Sequence, residues 1–227
     1  MWVVLALIIL AVVFGPNLWV RWVMSSYDKP IDGMPGTGGE LAEHLLERFE
    51  IDGVGVEITE AGDHYDPGDK KVRLLRKHFE SKSLSAVAIA AHEVGHAIQH
   101  HQEDARHAAR QRLVPWSDTV ARASTALIWA APIIGLLTRH PVPTVVIVAI
   151  GMAGLVARML VHLVTLPVEL DASFGKALPI LREGQYIAPG EEPAVRRILR
   201  AAALTYFAAA LADILNLVRW AAMLLRR

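Results

Sequence analysis

Apolar and polar positions are distributed very unevenly along this chain of 227 residues. Long apolar runs lie at both ends and in the middle, whereas residues 25–115 carry most of the charged side chains. The apolar share exceeds what the core of a soluble domain of this size needs, so the surplus requires a second apolar environment. The pattern therefore predicts a membrane protein with one polar insert.

The apolar runs that could cross a membrane as helices are residues 2–20, 123–138, 142–166 and 201–218. About 20 apolar residues are enough for such a span. The first run could instead be a cleaved signal peptide, but no basic region precedes it and no small-residue cleavage site follows it. The last run contains Asp213 and Asn216, and it could instead lie along the membrane interface.

This distribution divides the chain into a transmembrane anchor (1–24), a soluble segment (25–118) and a group of membrane helices (119–227). The predicted fold is mainly α, with several membrane helices around a small soluble part. Four spans would place residues 25–118 and 168–200 on one side of the membrane. Lys and Arg near the span ends are concentrated on that side, so the positive-inside rule predicts that it is cytoplasmic.

Within the soluble segment, residues 25–38 are rich in Gly, Pro, Ser and Asp and predict a linker. A helix is predicted next, from Glu40 to Phe49, from the spacing of its leucines. Residues 54–59 and 71–75 predict two short strands that pair as a β-hairpin beside the candidate site.

A second helix is predicted from Leu84 to about Gln111, with Ser83 as its N-cap and Pro115 beyond its end. Its first half is apolar and its second half is charged. The helical phase of that second half predicts that His100, His101 and His107 face solvent.

Charge and cysteine content narrow the possible functions. The 23 Lys and Arg residues balance the 23 Asp and Glu residues, so no basic field indicates binding to nucleic acid. The chain has no cysteine, which excludes disulfides, thiolate nucleophiles and cysteine-bound zinc. Any metal must therefore be held by His, Asp or Glu.

The sequence AIAAHEVGHAIQ places His92 and His96 four residues apart on the predicted helix. Both imidazoles then project from one helix face, at the spacing that binds one zinc ion. Glu93 lies beside that face, where it could take a proton from zinc-activated water and return it to a leaving amine. The alternative is a pair of core histidines that are satisfied by hydrogen bonds without a metal.

A catalytic zinc ion needs a third protein ligand and keeps one position for water. The sequence LPVELDAS follows the third apolar run, on the same side of the membrane as the motif helix in the predicted topology. Glu169 is therefore the candidate third ligand, and Asp171 is a candidate to orient a ligand imidazole. Both could instead be solvated carboxylates at a helix end.

Four blocks, DHYDP, AAHEVGHAIQ, LPVELDAS and RAAALTYFAAAL, resemble in this order the neutral zinc metallopeptidase family of bacterial membrane proteins (YugP type). The resemblance implies a multi-pass membrane peptidase of the HExxH zincin class with one Zn²⁺ per chain. It also implies that His92, His96 and Glu169 are the zinc ligands and that Glu93 is the catalytic acid and base.

The chain is also distantly similar to membrane zincins of the HtpX and CAAX-prenyl-protease type. There an aspartate follows the third-ligand glutamate four residues later, whereas this chain has Ser173 at that place. The departure makes Asp171 the nearer acidic partner of the predicted site.

Other candidates follow from residue chemistry. Tyr65 and Tyr206 could each donate a phenol hydrogen bond to the oxyanion of a cleavage intermediate, although packing alone could explain them. If residues 71–75 form an edge strand, they could bind an extended substrate by strand addition. The expected partners are a lipid bilayer and protein or peptide substrates near it.

Two other classes of function remain open at this stage. One is a membrane scaffold or chaperone in which zinc only joins two helices, and the other is a metal transporter. A fourth protein ligand would favour the scaffold. The transporter would need more intramembrane polar residues than the few present, which are Arg158, His162, Asp213 and Asn216.

Overall fold

The computed structural model of the protein describes residues 2–205. Tyr206, Asp213, Asn216 and all but the first few residues of the predicted span 201–218 lie outside this range. The helices are α1 (Trp2–Ser26), α2 (Gly38–Arg48), α3 (Arg76–Phe79), α4 (Leu84–His101), α5 (Ala105–Thr138), α6 (Pro141–Leu170), α7 (Leu178–Glu183) and α8 (Glu192–Ala203). A π-helical segment, Asp171–Ala177, joins α6 to α7, and a 3₁₀ turn, Pro189–Glu191, precedes α8. The predicted mainly α fold is confirmed.

Two helical stretches among the described residues are long and apolar enough to cross a membrane: Ala105–Thr138 and Pro141–Glu183. They include the predicted runs 123–138 and 142–166. The predicted N-terminal run also forms a helix, α1, which continues through Pro16. That α1 crosses a membrane stays a prediction.

Within residues 2–205, the first of two compact units comprises residues 2–15 and 109–166 and is built on α5 and α6. Small residues bring these two helices close together, since a Cβ on Gly154 would lie 1.9 Å from Ser124 Oγ. Large apolar side chains such as Trp129 and Leu136 are more than half exposed, as is typical of a lipid-facing surface.

Three polar residues in the described part of this unit pair locally: Asp118, Arg158 and His162. Arg158 Nε lies 3.2 Å from His162 Nε2 and 3.2 Å from Asp118 Oδ1. Such pairing is how ionisable groups are usually accommodated on apolar helices. It favours a packing role for Arg158 over a role in a transport path.

The second unit comprises residues 16–108 and 167–205, and α4 is its central helix. Every residue of α4 from 84 to 99 is buried, against α2, α8 and the π-helical segment. The predicted N-cap is confirmed, because Ser83 Oγ accepts a hydrogen bond from the N–H of Ala86 at 3.2 Å. A helix buried all round can hold polar side chains only in defined positions, because water does not reach them.

The predicted helix at 40–49 is also confirmed, as α2. Thr37 and Glu40 begin it with reciprocal bonds: the N–H of Glu40 donates to Thr37 Oγ1, and the N–H of Thr37 donates to Glu40 Oε2. A Cβ on Gly38 would lie 2.3 Å from the carbonyl oxygen of His78. Glycine is therefore required where the start of α2 meets α3.

The small sheet contains β1 (Gly55–Thr59), β2 (His64–Asp66) and β3 (Lys71–Leu75) in the order β1-β3-β2. The predicted hairpin of 54–59 with 71–75 is wrong, because β1 and β3 run parallel. The connection between them contains β2, which pairs antiparallel with β3 and forms the hairpin instead. Since β3 is the central strand, the idea that residues 71–75 bind substrate as an edge strand is also wrong.

The motif helix ends earlier than predicted. Glu103 adopts a φ of 54°, which ends α4 after His101, and a new helix begins at Ala105. Asp104 caps the new helix, with Oδ1 accepting the N–H of Arg106 at 2.7 Å. Pro115 lies inside α5 and does not end it. The continuous helix 84–111 is therefore corrected to two helices.

Candidate metal centre

Three buried side chains from two distant parts of the sequence meet in the second unit. Glu169 Oε2 lies 3.4 Å from His92 Nε2 and 3.4 Å from His96 Nε2. One ligand atom from each residue lies within 4.8 Å of the other two, and all three side chains are buried. No other His, Asp and Glu residues in 2–205 form such a group of three.

Two helices bring these ligands together. His92 and His96 are one turn apart on α4, with their rings edge to face at 4.8 Å between centroids. Glu169 is the second-last residue of α6, two positions before the first residue of the π-helical segment. Single π-helical turns often occur at functional sites, where they change the direction of neighbouring side chains.

A glycine between the two histidines permits this packing. A Cβ on Gly95 would lie 2.9 Å from the carbonyl oxygen of Ala172, which is closer than real Cβ atoms approach backbone oxygen. Gly95 therefore lets the π-helical segment contact α4 directly. That contact sets the distance between Glu169 and the two imidazoles.

The hydrogen bond of His92 defines which of its nitrogens is available. Ser173 Oγ donates to the carbonyl oxygen of Leu199 at 3.2 Å and lies 3.0 Å from His92 Nδ1. Because the hydroxyl proton is directed to that carbonyl, Oγ accepts the Nδ1–H of His92. The lone pair of His92 is then on Nε2, which faces Glu169.

This donor set fits a zinc ion. Two imidazole nitrogens and one carboxylate oxygen are ligands that catalytic zinc uses, and three protein ligands leave a position for water. Burial also favours a bound cation here, because a carboxylate taken out of water needs a compensating positive charge.

Comparison with known proteins identifies the family of this chain. Residues 2–225 match the family model described as "putative neutral zinc metallopeptidase". The chain belongs to this family. A Bacillus subtilis (strain 168) protein named "Putative membrane protease YugP" is 32% identical over 212 residues, which cover 91% of this chain and 90% of that protein. No solved structure matches the chain. The family resemblance predicted from the four sequence blocks is confirmed.

Glu93 and Asp171, the other residues predicted for the site of this zinc metallopeptidase family member, both lie close to His92, His96 and Glu169 but make different contacts. Glu93 is buried beside His92 on α4, with 7% of its surface exposed. Asp171 is close to the centre but contacts Gln99, at 2.8 Å between Oδ2 and Nε2. The Nδ1 atoms of His92 and His96, the two candidate ligand histidines, are hydrogen-bonded to Ser173 and Gln99, two residues that the sequence did not single out for this role.

Tyr65 lies in a cluster of rings next to the ligands. Its hydroxyl is 2.8 Å from His100 Nδ1, and burial, together with the Asp66 charge, raises its pKa. The phenol therefore stays protonated at neutral pH and remains a hydrogen-bond donor. The other tyrosine candidate, Tyr206, lies outside the described residues.

The predicted solvent exposure of His107 is wrong. His107 is 1% exposed, and its ring centroid lies 5.8 Å from that of His96 and 5.9 Å from that of His100. The break after His101 changes the helical phase, so His107 packs inward although it lies in a charged stretch. His101 is exposed as predicted, and His100 is partly buried.

Proposed function

We propose that this protein is a membrane-bound zinc endopeptidase in which His92, His96 and Glu169 bind one zinc ion. One observation carries the proposal: the ligand atoms of these residues lie within 4.8 Å of one another in a buried site. The family description, which names a zinc metallopeptidase, supports the same reaction class. Amide hydrolysis is the chemistry that such a site promotes.

A zinc ion bound here would supply a Lewis acid that polarises a peptide carbonyl and lowers the pKa of water. The chain supplies the proton transfer. The Glu93 carboxylate takes a proton from the attacking water and gives it to the nitrogen of the departing amine. Burial of Glu93 keeps this carboxyl out of bulk water, which favours transfer to the substrate over loss to solvent.

The proposed substrates are membrane proteins, their loops, or peptides close to the bilayer. Two helical stretches that could cross a membrane support this location, as does the word "membrane" in the name of the Bacillus subtilis relative. The proposed topology is multi-pass, with the site on the cytoplasmic side, as the distribution of Lys and Arg predicts.

The test compares zinc content and cleavage of an unstructured protein by purified protein in detergent. Glu93→Gln is expected to retain zinc and to lose about 10²–10⁴-fold in cleavage rate, because the proton acceptor is removed. Glu169→Ala is expected to lose zinc and cleavage together. Glu43→Gln is the matched control, because Glu43 is exposed on α2.

Two results would contradict the proposal. If Glu93→Gln cleaves as fast as the Glu43→Gln control, Glu93 has no catalytic role. If the wild type binds zinc but cleaves nothing, and its zinc has a fourth protein ligand, the scaffold with a structural zinc site is the better account.

A further inference from the structure

The side chain of Gln99 is buried beside the metal centre and connects His96 to the segment that carries Glu169. It is 1% exposed, lies three residues after His96 on α4, and its Oε1 is 2.9 Å from His96 Nδ1. Its Nε2 lies 3.0 Å from the carbonyl oxygen of Val168 and 2.8 Å from Asp171 Oδ2. All of its polar atoms therefore have partners, although no water reaches it.

These partners define the orientation of the amide. The Val168 carbonyl and the Asp171 carboxylate are both acceptors, so the atom between them must be the amide nitrogen, which has two N–H groups to donate. The amide oxygen is then the atom that faces His96. A flipped amide would place an oxygen against two acceptors and an N–H against the ring.

The orientation of the amide decides the tautomer of the ligand. Since Gln99 Oε1 can only accept, His96 Nδ1 carries the proton and donates it. The lone pair of His96 is then on Nε2, which faces Glu169 Oε2 at 3.4 Å. In the opposite tautomer, a proton would occupy the position of the metal.

We propose that Gln99 is a positioning residue for the metal centre and that Asp171 acts on His96 through it. The inference rests on the proposed zinc site. Metal-bound histidines often donate their second N–H directly to a carboxylate. Here Asp171 does not contact His96 directly, because the side chain of Gln99 lies between them. The Asp171 carboxylate accepts a hydrogen bond from the Gln99 amide nitrogen and so keeps the amide oxygen directed at His96.

The segment after Glu169 is shaped to hold the Asp171 carboxylate at this position. A Cβ on Gly175 would lie 2.4 Å from Asp171 Oδ1, so glycine leaves the space that this oxygen occupies. Lys176 Nζ lies 3.4 Å from Asp171 Oδ2 and balances its charge. The stretch that contributes the third ligand therefore also orients the second one.

The first measurement is zinc affinity, by competition with a chelator, for purified full-length protein in detergent. Gln99→Leu keeps a side chain of similar size and removes the acceptor, so zinc binding is expected to weaken about 10–100-fold. Gln102→Leu is the matched control, because Gln102 is exposed at the end of the same helix. Its zinc affinity is expected to equal that of the wild type.

A second pair of variants separates positioning from packing. Gln99→Glu keeps an acceptor for His96 but places two carboxylates together, so zinc binding is expected to weaken. Adding Asp171→Asn to Gln99→Glu replaces the carboxylate pair with a donor and an acceptor, so part of the lost affinity is expected to return, although the Val168 carbonyl oxygen still lacks its donor. The visible spectrum of the Co²⁺-substituted protein is expected to shift in Gln99→Leu and to return towards that of the wild type in the double variant.

The outcomes distinguish this inference from the proposed function. If the wild type binds no zinc, the proposed function fails. If the wild type binds zinc and Gln99→Leu binds it as tightly as Gln102→Leu, the proposed function stands and Gln99 has no positioning role. If the double variant binds zinc no better than Gln99→Glu alone, the contact between positions 99 and 171 has no effect on the metal centre, and the action of Asp171 through Gln99 is overturned.

Discussion

Two polar networks in the same compact unit differ in how far water reaches them. Around the metal centre, Gln99, Glu169 and Ser173 are each no more than 2% exposed. On the small sheet, Arg73 is paired with Glu57 and Asp69, whose side chains are 35% and 62% exposed. The same kinds of bond therefore have different consequences: the first network imposes one geometry on its members, and the second is screened by solvent.

The largest effect is expected where the buried network depends on close backbone packing. Gly95→Ala places a Cβ 2.9 Å from the Ala172 carbonyl oxygen, so α4 and the π-helical segment must separate. We expect a cost of about 1–3 kcal/mol in stability from this overpacking, together with weaker zinc binding. Thermal unfolding and chelator competition would measure the two effects.

The control for this prediction is Gly55→Ala, because a Cβ on Gly55 would meet no atom within 4 Å. If Gly95→Ala unfolds at the same temperature and binds zinc as tightly as Gly55→Ala, the close contact at Gly95 does not set the geometry of the site.

The next effect is expected at Ser173, which holds His92. Ser173→Ala removes the oxygen that accepts the Nδ1–H of His92, so the ring can turn and change tautomer. We expect zinc affinity to fall about 10–100-fold with only a modest change in unfolding temperature. Ser25→Ala is the control, since Ser25 Oγ makes an exposed bond to the carbonyl oxygen of Trp22. Equal zinc affinity of the two variants would show that Ser173 does not orient His92.

The smallest effect is expected in the sheet network. Arg73→Gln removes ion pairs to Glu57, Asp66 and Asp69, so we expect a small fall in unfolding temperature that added salt reduces, with zinc affinity unchanged. Arg76→Gln, which affects a single exposed pair with Glu80, is the control.

This effect should also depend on pH. Hydrogen bonds from Lys71 and Arg73 lower the pKa of Glu57 from its ordinary value of 4.5. A lowered carboxyl pKa stabilises the folded protein above the ordinary value, and that contribution is lost as the pH falls through the lower one. The difference in unfolding temperature between wild type and Arg73→Gln should therefore shrink below pH 4.5. A difference that grows in acid, or a change in zinc affinity, would contradict this account.

Much of the metal centre could be predicted because its main signal is local. Spacing of i and i+4 on a helix brings His92 and His96 to one face in any fold that keeps the helix. Glu169 was a candidate from its position after an apolar run, and the structure places it 3.4 Å from both imidazoles. The N-cap at Ser83 has an equally local cause.

Three structural predictions from the sequence were wrong: the β-hairpin, the length of the motif helix and the exposure of His107. They failed for related physical reasons. The parallel pairing of β1 and β3 depends on a third short strand whose residues 64–66 carry a weak strand pattern. The break after His101 depends on the left-handed conformation of Glu103, which is not a glycine or an asparagine. Burial of His107 follows from that break. In each case, a tertiary contact or a single backbone angle outweighed the periodicity of the sequence.

By itself, the sequence determined the mainly helical fold, the family, the apolar runs and the helix face that carries His92 and His96, because each depends on composition or on nearby residues. Only the tertiary structure shows that Ser173 contacts His92 and that Asp171 contacts the amide of Gln99, which in turn contacts His96. The contact between Gln99 and Asp171 joins residues 72 positions apart, and the contact between Ser173 and His92 joins residues 81 positions apart. Their geometry depends on how closely α4 approaches the segment after Glu169. Gly95 permits that close approach, but a glycine in the sequence does not indicate which residue will pack against it.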